Sequence, residues 1–371
     1  MDFDLPQEVE LFRENIKKFC EREILPKADE WDKKGEFPKD IFVKMGELGY
    51  FGSIFNLGAL GGIVMAEELG YASAGVAVGL YVHTFLALSA LNTFGTEEQK
   101  ERFFIPGIRG EKIGCWGFAE PQTGSDPESL RTRAIEDKGN FIINGQKLFI
   151  SNGTFADFVV LTVSTAPEKK AKGLSLIIVE RGAKGFTSSK LETFGVRACQ
   201  TASLFFDDCP VPKNNLLGDI NLGFGNISKT LTLGRIAAAG FAIGLSRAAY
   251  EHTIKFAKER VVFGQPISKH QGLQWMISDM ALKIEASKLL AMKAAWLYDK
   301  GLPHLIETSF AKLFATESCT RICEQALQIH GGAGFLTDSP VQRFYRDCKL
   351  LEIGEGTSQI HRNFIARLLG L

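Results

Sequence analysis

The stretch richest in chemistry is Leu351-Glu-Ile-Gly-Glu-Gly-Thr-Ser-Gln359, where one carboxylate, Glu355, stands between two glycines just before a predicted helix. Glycines on both sides let the backbone bring that carboxylate, and bare amides, close to a ligand without interference from a Cβ. Buried by the fold, Glu355 is placed to act as a general base; left at the surface, it is a helix-start acid favoured by the macrodipole. Two further segments, Phe118-Ala-Glu-Pro-Gln-Thr-Gly-Ser-Asp126 and Asn144-Gly-Gln-Lys-Leu-Phe-Ile-Ser-Asn-Gly153, put small and hydroxyl residues at turns entering or leaving strands. Such turns release backbone N–H groups and serine hydroxyls to grip an anion or a polar heterocycle. Taken alone, the first of them reads as a tight turn.

Other chemistries are excluded by context. Gly223-Phe-Gly225-Asn-Ile-Ser228 lacks the third glycine and the preceding strand of a dinucleotide loop. There is no Walker sequence, HExxH or GxSxG, and the six histidines (83, 252, 270, 304, 330, 361) are too scattered for a metal cluster. Seven cysteines without a CxxC pair argue against a disulfide framework and for a reduced, intracellular protein. With 43 basic against 43 acidic residues there is no basic excess to attract nucleic acid. The mixture of 45% apolar and 23% charged residues is that of a globular protein, and 371 residues exceed what one core usually serves.

The elements that must position these residues fall into three blocks. Up to residue 112 the pattern is helical: Val9, Phe12, Ile16, Phe19 and Ile24 recur at helical spacing and Pro26 closes the run. The stretch from Leu69 to Thr96 has no charged side chain and is long enough to span a bilayer, but its glycines, Ser73, His83 and Asn92, and the lack of a basic flank, make it a buried helix. Residues 113–222 are β-rich, with runs at 158–163, 174–179 and 202–206; Phe141–Ile143 and Gln146–Ser151 read as two strands joined by a type I′ turn at Asn144-Gly145. Residues 223–371 return to long helices at about 226–259, 270–300, 303–330 and 357–369, with Met276, Met280, Leu282 and Leu289 as apolar positions of the second. The acidic opening MDFDLPQEVE has no signal or transit character, which points to a cytoplasmic, prokaryotic location.

Together these pieces resemble the acyl-CoA dehydrogenase family along essentially the whole chain. One signature is similar to Gly117-Phe-Ala-Glu-Pro-Gln-Thr-Gly-Ser-Asp126. Another is similar to Gln325-Ala-Leu-Gln-Ile-His-Gly-Gly-Ala-Gly-Phe335, continuing through Tyr345-Arg-Asp347 to Glu355-Gly-Thr-Ser-Gln-Ile360. Gly195-Val-Arg197, Val211-Pro212 and Arg260-Val-Val-Phe-Gly264 match as well. The resemblance implies an α+β multidomain fold: an N-terminal helical domain (1–112), a small middle β-barrel (113–222) and a C-terminal four-helix bundle (223–371). It also implies a homotetramer that binds FAD and passes electrons from an acyl-CoA to an electron-transfer flavoprotein.

By the same resemblance, Trp116, Phe118, Ala119, Gly124 and Ser125 lie along the flavin and its phosphates. Phe149 and Ser151 cover the isoalloxazine near N5. Arg260, Phe263 and Gln271, with Gln328, Gly331 and Gly332, reach the FAD of a neighbouring subunit, and Thr357 and Gln359 complete the grip. Ser125, Thr232, Arg235 and Gly356 approach the pantetheine and thioester, with Thr232 replacing an acidic residue common there. Glu355 is the implied α-proton base. The alternative base position found in some members is occupied by Gly234, which cannot serve, and Gly354 replaces a frequent tyrosine, which implies a wider pocket floor. The 120–129 spelling also resembles the glutaryl-CoA branch. Its arginine place corresponds to Ala72 here, in the uncharged 69–96 stretch, so a neutral acyl chain is the expectation. An oxidase or monooxygenase on the same fold is the other alternative.

Overall fold

Alternating apolar and charged residues make α1 (Gln7–Phe19) an amphipathic helix that buries Val9, Phe12, Ile16 and Phe19. This computed structural model describes residues 4–371; the first three residues of the acidic opening lie outside it. Short helices α2 (Ala28–Lys34) and α3 (Asp40–Glu47) lead to α4 (Tyr50–Ala72). Helix α4 breaks at Gly58 and restarts where the Asp299 carboxylate accepts from the amides of Ala59 and Leu60 at 2.7 and 3.1 Å. Helix α5 (Ala74–Tyr81) runs through a π-helical segment, Val82–Leu88, into α6 (Ser89–Phe94). This is the uncharged stretch: long and apolar enough to cross a membrane, yet enclosed by the protein except at its end, where Asn92 and Thr93 are exposed. Small helices α7 (Glu97–Gln99) and α8 (Ile105–Ile108) close the block.

Several buried side chains tie these helices to the sheet, among them Asn152, Gln99 and His83. The amide of Gly114, in β1 (Gly114–Gly117), donates to His83 Nδ1 at 3.0 Å, so Nε2 carries the proton and donates to Gly107 O at 3.1 Å. Burial pushes the pKa of His83 down to about 4, which keeps the ring in this neutral tautomer.

The strands that follow are β2 (Arg133–Asp137), β3 (Asn140–Ile150), β4 (Phe158–Ser164), β5 (Leu174–Glu180), β6 (Phe186–Lys190), β7 (Ala202–Pro212) and β8 (Leu216–Leu217). They order as β6-β7-β3-β2-β4-β5-β8, with β1 parallel to β4. The end strands β6 and β8 share no pairing, so the middle block is an open eight-stranded mixed sheet rather than the expected barrel. The turn expected at Asn144-Gly145 is corrected too. Strand β3 runs unbroken through it, with a register irregularity between Ile143 and Gly145, and the hairpin turn is Lys138-Gly139, both at positive φ. A Cβ at Gly145 would come within 2.6 Å of Thr132 Cα, so glycine there serves a close backbone approach rather than a chain reversal.

The last block contains α9 (Phe224–Glu259), α10 (Gln271–Asp299), α11 (Leu305–His330), α12 (Pro340–Ile353) and α13 (Ser358–Leu368), with a small ribbon at 261–266. Helix α12 is a fifth helix beyond the four expected. Leu282 and Leu289 lie on the exposed side of α10, whereas Met280 is in the core. Helix α9 crosses α4 at backbone contact: a Cβ at Gly244 would sit 1.9 Å from Glu67 O and 2.8 Å from Tyr71 N. Gly244→Ala is therefore expected to cost roughly 3 kcal/mol, the upper end for overpacking because the neighbour is backbone. Thermal denaturation followed by circular dichroism checks this, and an unchanged midpoint would refute it.

Candidate active site

Glu355 sits in the four-residue link between α12 and α13 with φ +58°, a left-handed conformation that costs a non-glycine residue about 1 kcal/mol or more. Gly356 follows at φ +94°, and Thr357 caps α13 by accepting from the Ile360 amide. Two side chains hold this strained link. Lys312 of α11, fully buried, donates from Nζ to Gly356 O at 2.6 Å, and His361 Nε2 donates to Glu355 O at 3.1 Å. The chain thus over-determines the position of one carboxylate.

Its surroundings are those of a base rather than a surface acid. Oε2 is buried and makes no hydrogen bond; the Tyr81 hydroxyl and Arg235 Nε are likewise buried and unpartnered. Loss of solvation pushes the Glu355 pKa up, while the positive charges of Arg235 and Lys312, and the nearby Tyr81 hydroxyl, restrain the rise. Desolvation brings Lys312 down to about 8, with Glu355 opposing that fall, and His361 down to about 4. A Cβ at Gly234 would stand 2.9 Å from Tyr81 Oη and 3.5 Å from Glu355 Oε2, so position 234 faces the carboxylate directly. At Gly354 a Cβ would meet only Leu350 O at 3.5 Å, leaving space beside the carboxylate.

A second group of predicted residues gathers at the sheet. Trp116 is buried in β1, and Phe118 and Ala119 follow at its end, half-buried. This segment is anchored by Lys147 of β3, whose Nζ, wholly buried, donates to Phe118 O at 2.9 Å and to Glu120 Oε1 at 2.8 Å. Glu120 in turn accepts from the amides of Arg131 and Thr132. Beyond it, Thr123 pairs back to Glu120, while the amides of Gly124 and Ser125 are spent on no hydrogen bond within the described residues. Phe149 stands 65% exposed at φ +62°, an apolar ring held out in a strained conformation, with Ser151 two residues on.

The remaining residues lie elsewhere. Arg260, Phe263 and Gln271 are exposed around the ribbon that follows α9, Phe263 to 92%. The rise of a helix puts the end of α9 about 38 Å beyond Gly234. Gln328, Gly331 and Gly332 are exposed at the end of α11, which packs on the end of α9 by stacking His330 on Phe256 at 4.3 Å. These six therefore form one cluster, remote from Glu355 within a single chain. Thr232 lines a groove of about 890 Å³ with Ile54, Phe55, Ser89 and Leu305, a lining that includes neither Glu355 nor Arg235. Gln359 is exposed on α13.

The arrangement fits a flavin. Glu355 Oε2 is an orphaned buried acceptor, Phe149 offers an exposed aromatic face, and the free amides at Gly124 and Ser125 suit a polar or anionic edge. Sequence reasoning missed Tyr81, Lys312, Lys147 and His361. Lys312 carried a signal: it falls on the ladder 308, 311, 312, 315, 316, 319 that α11 buries.

Comparison with known proteins agrees along the full length. The family models for the acyl-CoA dehydrogenase N-terminal, middle and C-terminal domains match residues 6–111, 115–209 and 221–370. A short-chain specific acyl-CoA dehydrogenase of Clostridium acetobutylicum is 40% identical over 99% of both chains. The solved butyryl-CoA dehydrogenase of Megasphaera elsdenii superposes with a TM-score of 0.96 at 34% identity, covering all of both chains. A chain from a structure described as an electron transferring flavoprotein of Acidaminococcus fermentans superposes at 0.97 with 36% identity, over 100% of this chain and 99% of that one. The chain belongs to the acyl-CoA dehydrogenase family.

Proposed function

We propose that this protein is an FAD-dependent dehydrogenase of short, saturated acyl-CoA thioesters, forming the trans-2-enoyl-CoA and passing electrons to an electron-transfer flavoprotein. The observation that carries the reading is the buried, unpartnered Glu355 Oε2, flanked by two cations on a strained link. A thioester α-hydrogen is a weak acid, so its removal needs a base in contact and donors for the developing enolate oxygen. Glu355 takes the proton; its own backbone N–H stands beside the same link as an oxyanion donor. Arg235 and Lys312 favour the ionised carboxylate and oppose the upward push of its burial. When bound, FAD supplies the hydride acceptor.

Trp116, Phe118, Ala119, Gly124, Ser125, Phe149, Ser151, Thr357 and Gln359 would hold the flavin, and Ser125, Arg235 and Gly356 the thioester end of the substrate. Thr232 would meet the CoA tail from its groove. The remote cluster of Arg260, Phe263, Gln271, Gln328, Gly331 and Gly332 would serve the cofactor of a second copy. Support for a homo-oligomer, a tetramer in this family's manner, comes from Trp275, Leu282, Leu289 and Trp296. They are spaced seven apart and exposed along α10, an apolar stripe suited to another helix. We place the enzyme in cytoplasmic acyl-group catabolism.

The test is turnover of a panel of saturated, branched and dicarboxylic acyl-CoAs by the FAD-loaded protein with a dye acceptor. Enoyl-CoA should form fastest from short neutral chains, without oxygen consumption when the dye is left out. Because burial raises the Glu355 pKa and the base must be ionised, the rate should fall in acid with a midpoint above the ordinary glutamate range. Oxygen consumption would indicate an oxidase, and a preference for glutaryl-CoA the dicarboxylate branch; either would overturn the proposal.

A further inference from the structure

Among the groups around Glu355, Tyr81 has no task in the chemistry above, yet its placement is costly. The phenol arrives at the end of α5, buried in an uncharged helical stretch, with its hydroxyl oxygen enclosed and without a hydrogen bond. A buried hydroxyl with no partner is destabilising, since it has given up its bonds to water for none in return. The oxygen points at the gap that Gly234 leaves open, where Glu355 Oε2 also points, and Leu86 Cδ2 closes the apolar side at 3.1 Å from the same spot. Neither oxygen has another partner, and one is a donor while the other is an acceptor.

We propose that Tyr81 is a positioning residue for the base: its phenol O–H donates to Glu355 Oε2 in the working enzyme, fixing the carboxylate so that Oε1 meets the substrate's α-hydrogen. This rests on the dehydrogenase reading of the site. Glycine at 234 leaves the phenol its place, since a Cβ there would come within 2.9 Å of the Tyr81 oxygen and 3.5 Å of Glu355 Oε2. The groups facing Glu355 are Tyr81 from α5, Arg235 from α9 and Lys312 from α11, with His361 of α13 on its backbone carbonyl. Burial, with the carboxylate next in weight, pushes the Tyr81 pKa well above that of a free phenol, so it remains a protonated donor throughout the working range. Its hydroxyl is one of the groups that hold the Glu355 pKa down, so removing it lets that pKa rise.

The experiment compares FAD-loaded parent, Tyr81→Phe and Gly234→Ala. In Tyr81→Phe the acid limb of kcat against pH should move upward. A displacement of one pH unit lowers the rate on that limb about tenfold, while the alkaline plateau stays within about threefold. Gly234→Ala, whose methyl displaces the phenol, should reproduce the shift. The infrared C=O band of the protonated carboxyl, assigned by its absence in Glu355→Gln, should titrate at higher pH in both variants. Superimposable profiles and titrations would overturn the proposal, as would a uniform loss of rate without displacement. If the parent dehydrogenates no acyl-CoA, the functional reading fails by itself, and the infrared titration still decides the role of Tyr81.

Discussion

In Glu355→Gln, dehydrogenation of acyl-CoA is expected to fall by about three to four orders of magnitude while the purified protein stays yellow, the upper range for loss of a positioned general base. The amide keeps the shape and the contacts of the carboxylate but cannot take a proton. The loss should therefore fall on kcat far more than on KM. Fold and cofactor content should be retained, because glutamine keeps the volume of the side chain and Lys312 keeps its bond to Gly356 O. Stopped-flow reduction of the bound flavin by a short acyl-CoA measures it. A rate within tenfold of the parent would remove Glu355 from the chemistry.

The second large effect concerns stability. Lys147 and Glu120 form a fully buried ion pair that fastens the Phe118–Asp126 segment to β3. Glu120→Ala leaves an ammonium group in the interior with only the Phe118 carbonyl, at a cost of about 3–5 kcal/mol. Even beside its partner, burial brings Lys147 down to about 8, against an ordinary lysine value of 10.5. Without Glu120 it falls further, so the unfolded chain binds the extra proton over that whole interval. The variant's deficit should shrink as pH rises to about 8, where the parent's own Lys147 loses its proton, and level off above that. Replacing both residues, Glu120→Leu with Lys147→Met, should restore most of the loss. Urea denaturation at pH 7 and pH 9.5 reads both effects. A single variant as stable as the parent would show that the pair contributes nothing.

Glu355 was legible in the sequence because its signal is local: two glycines and a helix start surround one acid. Helix order was legible for the same reason, since α1, α9 and α11 carry their periodicity within themselves. What surrounds Glu355 was not, because it comes from three distant segments, and contact between them is a property of the fold. Tyr81 lies in a run with no charge to mark it, and its function depends on the absence of a side chain at 234. Asn144-Gly145 misled because a hairpin dipeptide and a bulge glycine answer to the same need for unusual φ, and only pairing with β2 and β7 tells them apart. Helix α12 was hidden by motif residues, its apolar Val341, Phe344 and Leu351 being interspersed with arginines that it buries or pairs. Closure of the sheet could not be read at all, since it depends on whether the first and last strands meet.

His83 makes one fastening of the helices to the sheet sensitive to acid. Its Nδ1 lone pair is already committed to the first strand, so an added proton would leave two donors facing each other across the joint. The expense of keeping that ring neutral grows as acidity passes from the usual imidazole range towards about 4. Souring the medium thus weakens one fastening among several, leaving those made by Asn152 and Gln99 untouched.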